Sequence, residues 1–151
     1  MITVTGLREF QRDIAALSDQ LNEAQRTGVT IEAGGGNEVK LVMLAATGRD
    51  FVEIDDDLDS KIGAIFEEGI ASACARVGRG LSGSLLGPFH KVGALVVNEI
   101  KRRVAAGEAP SGVTPLSAKY AAWKATHYPG KPIGEATGAM LRSLVAKIER
   151  R

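Results

Sequence analysis

The chain has 151 residues, of which 44% are hydrophobic and 25% charged, a composition typical of one globular domain and incompatible with a wholly disordered chain. The single cysteine excludes an internal disulfide, no apolar run is long enough to cross a membrane, and the first residues lack a signal-peptide pattern, so we expect synthesis in the cytoplasm. The net charge is +1, but the charged residues are unevenly distributed: residues 1–68 carry a net charge of −8 and residues 69–151 a net charge of +9. This division predicts contacts within the monomer, between subunits, or with a polyanion on the basic half.

The amino-terminal region begins with the clearest helical pattern of the chain. Apolar residues alternate in steps of three and four, which places them on one stripe of a helix. This stripe comprises Leu7, Phe10, Ile14, Leu17, Leu21 and Ala24. We expect the stripe to belong to the core of the monomer rather than to an interface between subunits, and we expect Gly28 to end the helix.

Two runs rich in β-forming residues follow, at 29–33 and 39–44, around the glycine-rich turn Gly34–Asn37. They predict a β-hairpin. Helical spacing returns between Leu58 and Val77, and the four aspartates within residues 55–59 lie where they would stabilise the positive end of that helix. We therefore expect a second long helix.

The second half of the chain predicts helices separated by loops. Residues 78–87 read as a flexible linker rich in glycine and serine, after which Pro88 begins a helix that Gly107 ends. A short helix is predicted to begin at residues 114–117 and to continue through Trp123. A helical turn is predicted at 137–141 and a closing strand at 143–148. The predicted fold is α+β: one domain over residues 1–151, with long helices packed on a small, mostly antiparallel β-sheet.

No arrangement of residues in the sequence points to catalysis, a cofactor or a metal. His90 and His127 do not have the spacing of a zinc site, and the apolar neighbours of Cys74 predict a buried, inert thiol. An enzyme that uses Ser82 or Cys74 would need a partner base, and none is evident. We expect no enzymatic activity and no cofactor.

Several short motifs in the chain resemble one family. Residues 115–124 read Pro-Leu-Ser-Ala-Lys-Tyr-Ala-Ala-Trp-Lys, residues 130–133 Gly-Lys-Pro-Ile, and residues 137–144 Thr-Gly-Ala-Met-Leu-Arg-Ser-Leu. Together with Gly-Arg-Asp-Phe at 48–51 and the helix at 92–102, they resemble the neck and tail-completion proteins of tailed phages. The residues that carry the resemblance are Arg49, Phe51, Pro115, Leu116, Ser117, Lys124, Lys131, Pro132, Thr137, Gly138, Leu141 and Ser143.

This resemblance implies a structural protein of the virion, made in the host cytoplasm and located at the head–tail junction as a tail-completion, tail-terminator or neck protein. It implies a ring of copies, commonly six, around the DNA channel. The implied partners are further copies of the chain, the phage connector or adaptor, and the tail tube. DNA would pass through the ring without sequence-specific binding, and neither catalysis nor a membrane is implied.

The charged residues suggest where subunits of such a ring would meet, because unlike patches favour head-to-tail contacts. The candidate subunit-interface residues are Asp55, Asp56, Asp57, Asp59, Lys101, Arg102 and Arg103. The alternative is a DNA-binding accessory protein that uses the basic carboxyl-terminal half, although that half lacks a known nucleic-acid-binding motif. Its candidate residues are Lys101, Arg102, Arg103, Lys119, Lys124, Arg142, Lys147, Arg150 and Arg151.

Overall fold

Helices account for most of the computed structural model, which describes residues 7–133 and 138–150. The elements in chain order are α1 (Leu7–Gln25), β1 (Thr27–Ala33), α2 (Glu38–Ala46), α3 (Asp56–Val77), α4 (Leu86–Ala106), α5 (Ala118–His127), α6 (Ala139–Ser143) and β2 (Leu144–Arg150). The two strands pair antiparallel, with Thr27 opposite Arg150 and Ala33 opposite Leu144. The predicted α+β fold of a single small domain is confirmed.

The core forms where α4 packs against both strands and against α3. Apolar residues of α4 recur every three or four positions, so one face of the helix is buried. Gly93 lies on this face, and a Cβ atom there would come within 2.6 Å of the Ala146 Cβ on β2, so glycine is needed for the close approach. The buried core comprises Ala33, Phe51, Val92, Val96, Val97, Ile100, Val104, Met140 and Leu144.

The ends of α3 and α4 follow the sequence pattern. The Asp55 side chain accepts a hydrogen bond of 2.9 Å from the Leu58 backbone N–H and so caps α3, as the acidic run predicted. Gly107 has a φ of 67° and ends α4 in the left-handed conformation expected of it. The predicted second and third long helices are therefore confirmed.

The predicted hairpin is wrong. Residues 39–44 belong to helix α2, and the partner of β1 is β2 from the far end of the chain. Leu41 and Leu44, three positions apart, pack against the core, which is the spacing of a helix. Gly28 was expected to end α1, but α1 ends at Gln25 and Gly28 pairs with Glu149 inside the sheet.

Two expectations about burial are also wrong. Ile14 is 51% exposed and Leu21 41% exposed, so the apolar stripe of α1 is not part of the core at these positions. Cys74 is exposed rather than buried, because it lies on the outer face of α3, while Ala73 and Val77 face inward.

The predicted boundaries of the later elements need small adjustments. The linker between α3 and α4 is 78–85, since α4 begins at Leu86 and Pro88 is its third residue. The linker packs closely against α3, because Gly83 and Leu85 are buried. Helix α5 continues beyond Trp123, while the closing strand is confirmed as β2.

Candidate functional site

The motif residue Arg49 fastens the loop after α2 to the segment that leads into α5. Its guanidinium donates hydrogen bonds to the carbonyls of Thr114, at 2.7 Å, and Pro115, at 2.9 Å. Gly48, with a φ of 73°, accepts a backbone hydrogen bond of 2.9 Å from Thr114, and a Cβ atom on Gly48 would collide with the Thr114 side chain. Residues 47–51 therefore fix where α5 begins.

Helix α5 is held at both ends by motif residues. The Ser117 hydroxyl caps it by accepting a hydrogen bond of 3.3 Å from the Tyr120 backbone N–H. Lys124 is only 6% exposed, and its ammonium donates to the carbonyls of Pro132 and Ile133, the latter at 3.1 Å. The chain that leaves α5 is thus tied back to the helix.

The motif residues near the carboxyl terminus join α6 to the start of α2. Gly138 has a φ of 75° and precedes α6, and Leu141 packs against the core. The Ser143 hydroxyl donates a hydrogen bond of 2.8 Å to the Met140 carbonyl and accepts one of 3.2 Å from the Asn37 amide. These contacts secure the end of α6 where β2 begins.

The remaining motif residues are divided between core and surface. Phe51 is 1% exposed in the core, Leu116 and Pro132 are half-buried, and Lys131 is exposed. Thr137 lies outside the described residues. Most of the described motif residues therefore position backbone segments around α5 and α6 rather than form a pocket with chemically reactive groups.

The basic cluster at 101–103 does not form a uniform surface. Arg103 is 3% exposed and pairs at 3.0 Å with both Glu99 and Asp55, and it also donates to the Glu53 carbonyl. The expectation that Arg103 and Asp55 meet across a subunit boundary is therefore corrected: they meet inside one chain. Reversing the charges of the whole cluster would therefore disturb folding.

Glu99 joins the two arginines of this cluster. Its carboxylate lies 2.7 Å from the Arg102 guanidinium, which in turn approaches Glu108 at 3.7 Å. The hydrogen bond from Arg102 lowers the pKa of Glu99 to about 2, with support from Arg103 and against the effect of desolvation. Glu99 accordingly remains ionised at neutral pH, while the exposed Arg102 lies at the edge of the network.

The amino-terminal end of α3 remains an acidic surface. Asp56, Asp57 and Asp59 are exposed, and Asp57 pairs with Lys61 at 2.6 Å. This hydrogen bond raises the pKa of Lys61. A subunit contact at these three aspartates stays a prediction.

Several basic residues of the carboxyl-terminal half contact acidic residues of the same chain. Lys147 pairs with Glu32, and Arg150 pairs with Glu23. Arg151 lies outside the described residues. Part of the charge division in the sequence is therefore neutralised within the monomer, which was one of the three possibilities.

Helices α1 and α2 both expose large apolar side chains. On α2, Val39, Val42 and Met43 are between 61% and 68% exposed, and on α1, Ile14 is 51% and Leu21 41% exposed. Positions 39, 42 and 43 are neighbours on a helix surface, so they form one apolar patch. Side chains of this kind are typical of protein contact surfaces when they cluster.

A third exposed feature is a stack of rings on α5. The Trp123 ring lies 5.4 Å from Tyr120 and 4.5 Å from His127, with interplanar angles of 21° and 23°, and Tyr128 contacts it edge-on. The His127 Nδ1 atom lies 2.8 Å from the Trp123 carbonyl, to which it can donate. This stack was not among the predictions from the sequence, although ring side chains at positions 120, 123 and 127 have the spacing of one helix face.

Neither a metal site nor a membrane span is found among the described residues. Within residues 7–133 and 138–150, no group of three or more His, Cys, Asp or Glu side chains could hold a metal ion. No helix in this part of the chain is long and apolar enough to cross a membrane. Comparison with protein-family models, curated proteins and solved structures found no match to the chain.

Proposed function

We propose that the chain is a non-enzymatic structural protein of the head–tail junction of a tailed phage, acting in tail completion, tail termination or the neck. It assembles as a ring around the DNA channel. The resemblance implies that the ring has six copies. Its partners are other copies, the connector or adaptor, and the tail tube, and its place is in the virion.

The observation that carries this proposal is the apolar surface of α1 and α2. Val42 is 68% exposed and Ile14 51% exposed, although burial of such side chains contributes roughly 25 cal/mol for each Å² removed from water. The monomer leaves about half or more of these two side chains in water. Contact with another protein would bury them, as expected of a subunit in an assembly.

The positions of the motif residues support the same proposal. Arg49, Ser117 and Lys124 hold α5 by hydrogen bonds to backbone groups, which keeps an exposed helix in a fixed orientation. A structural subunit needs surfaces of defined geometry, because ordering a mobile segment would reduce the affinity of each contact.

The alternative, a DNA-binding accessory protein, has less support. Among its candidate residues, Arg103 and Lys124 are buried, and Lys147 and Arg150 pair with carboxylates of the same chain. Phosphate contacts would have to replace those intramolecular pairs. Steeply salt-dependent binding of duplex DNA by the isolated protein would favour this alternative.

Removal of the gene from the phage that encodes the protein tests the proposal. We expect filled heads and separate tails, visible by electron microscopy, and we expect purified protein to restore joined, infectious particles. Val42→Asp should fail to restore them because it places a charge in the apolar patch, whereas Ala105→Asp, an exposed change on α4, should succeed. Normal particles without the gene would overturn the proposal.

A further inference from the structure

The segment around α5 combines an unusual charge with exposed rings. Residues 109–133 contain three lysines and no acidic residue. Tyr120 is 47% exposed and Trp123 44% exposed, and Lys119 is exposed beside them. Tyrosine and tryptophan are the residues most enriched at the centres of protein interfaces.

The geometry of the ring stack distinguishes between two kinds of partner. Tyr120 and His127 each stack on the Trp123 ring at near-parallel angles of 21° and 23°. A nucleic-acid base that stacked on Trp123 would have to compete with these two rings. Tyrosine and tryptophan also combine a large apolar ring with a polar O–H or N–H group, a combination that suits a protein surface.

The opposite charge lies on the same chain, at the amino-terminal end of α3. Residues 53–59 contain five acidic residues and no basic residue. Arg103 already binds Asp55 from inside the fold and Lys61 pairs with the exposed Asp57, whereas Asp56 and Asp59 are also exposed. We propose that α5 of one subunit docks on this acidic end of α3 in a second copy, with Tyr120 and Trp123 at the centre of the contact and Lys119 facing the aspartates.

This contact deepens the proposed ring and rests on it. A helix of ten residues is about 15 Å long, so α5 alone covers less than the roughly 800 Å² per partner of a standard interface. A single contact is therefore weak. Because the two surfaces differ, the contact is head-to-tail. Repeating it can close a ring in which each subunit contacts one neighbour through α5 and the other neighbour through the acidic end of α3.

Trp123 is the only tryptophan of the chain, so its fluorescence reports directly on the proposed contact. As the concentration of wild-type protein is raised, we expect assembly to shift the emission to shorter wavelength. Acrylamide quenching should fall at least twofold over the same range. This measurement needs no substitution, so a failure to fold cannot explain a negative result.

Charge reversal then identifies the partner surface. Lys119→Glu and Asp59→Lys should each weaken association at least tenfold, because each sets like charges opposite one another. An equimolar mixture of the two variants should recover association, since every contact in an alternating ring again joins unlike charges. Lys91→Glu, an exposed change on α4, is the matched control and should associate like the wild type.

The outcomes separate this contact from the proposed function. Rings that form without any change in Trp123 quenching, or a mixture that stays dissociated, would overturn the α5 contact and leave the ring intact. Protein that never associates, even with connector or tail tube present, would overturn both. A change in Trp123 emission or quenching that requires added duplex DNA would also overturn the contact, because the stack would then be a nucleic-acid surface.

Discussion

Helices α1 and α4 have similar lengths and similar apolar periodicity, but their apolar faces have different environments. On α4, Ile100 is 1% and Val104 0% exposed, because both strands and α3 cover that face. On α1, Ile14 and Leu21 are 51% and 41% exposed, although the helix contacts α3 and β1. Periodicity therefore predicts a helix and its apolar face, but not whether the same chain or a partner covers that face.

The largest expected difference between these helices concerns stability. Ile100→Ala should lower the free energy of unfolding by about 2–5 kcal/mol, because it leaves a cavity in the packed core. Ile14→Ala should lower it by less than about 1 kcal/mol, since half of that side chain is already in water. Urea unfolding of the dilute monomer measures both values. Equal losses would mean that the α1 face is part of the core.

A second prediction tests how closely α4 approaches the sheet. Gly93→Ala should destabilise the fold by about 1–3 kcal/mol, because the new methyl group would overlap with Ala146. Gly63→Ala on α3 is the matched control: a Cβ atom there meets no described atom within 4 Å, so the change should stabilise the helix by about 0.5–1 kcal/mol. Opposite signs in thermal unfolding are expected. A stabilising Gly93→Ala would contradict the described packing.

A third prediction concerns the network that joins α4 to the start of α3. Glu99→Gln should cost about 1–3 kcal/mol at pH 7, because it removes the carboxylate that accepts from Arg102 and Arg103. The pKa of Glu99 in the folded protein is about 2, below its ordinary 4.5, so its ionisation stabilises the fold above about pH 4.5. That contribution is lost as the pH falls from about 4.5 through about 2.

Urea unfolding of wild type and Glu99→Gln at pH 7 and at pH 3 checks this sign. The difference between the two proteins should be smaller at pH 3, where the wild-type advantage has begun to disappear. A difference that stays constant, or grows towards acid, would show that the Glu99 charge does not stabilise the folded chain.

Much of the fold could be predicted from the sequence, since α1, α3 and α4 each extend over several turns with a clear period. The hairpin prediction failed for a physical reason. A short apolar run such as 39–44 fits either a strand or a buried helix face, and strand pairing depends on distant residues: Ala33 pairs with Leu144. No local signal in the sequence specified that pairing.

The candidate site was predictable in its residue types but not in its connections. The attraction between the acidic run and the 101–103 cluster was expected, yet Arg103 and Asp55 satisfy it inside one chain. Sequence spacing gives no distance between residues from separate helices, so contacts within a chain and between subunits have the same signature. The ring stack of Tyr120, Trp123 and His127 could have been predicted from the sequence, because the spacing of these residues fits one helix face.

The mass of the purified protein in solution, measured by light scattering from low to high concentration, tests the central claim most directly. The exposed faces of α1, α2 and α5 predict a monomer when dilute and a closed ring of defined copy number when concentrated or offered connector or tail tube. A monomer under all of these conditions, or a symmetric dimer that persists at every concentration, would contradict the account.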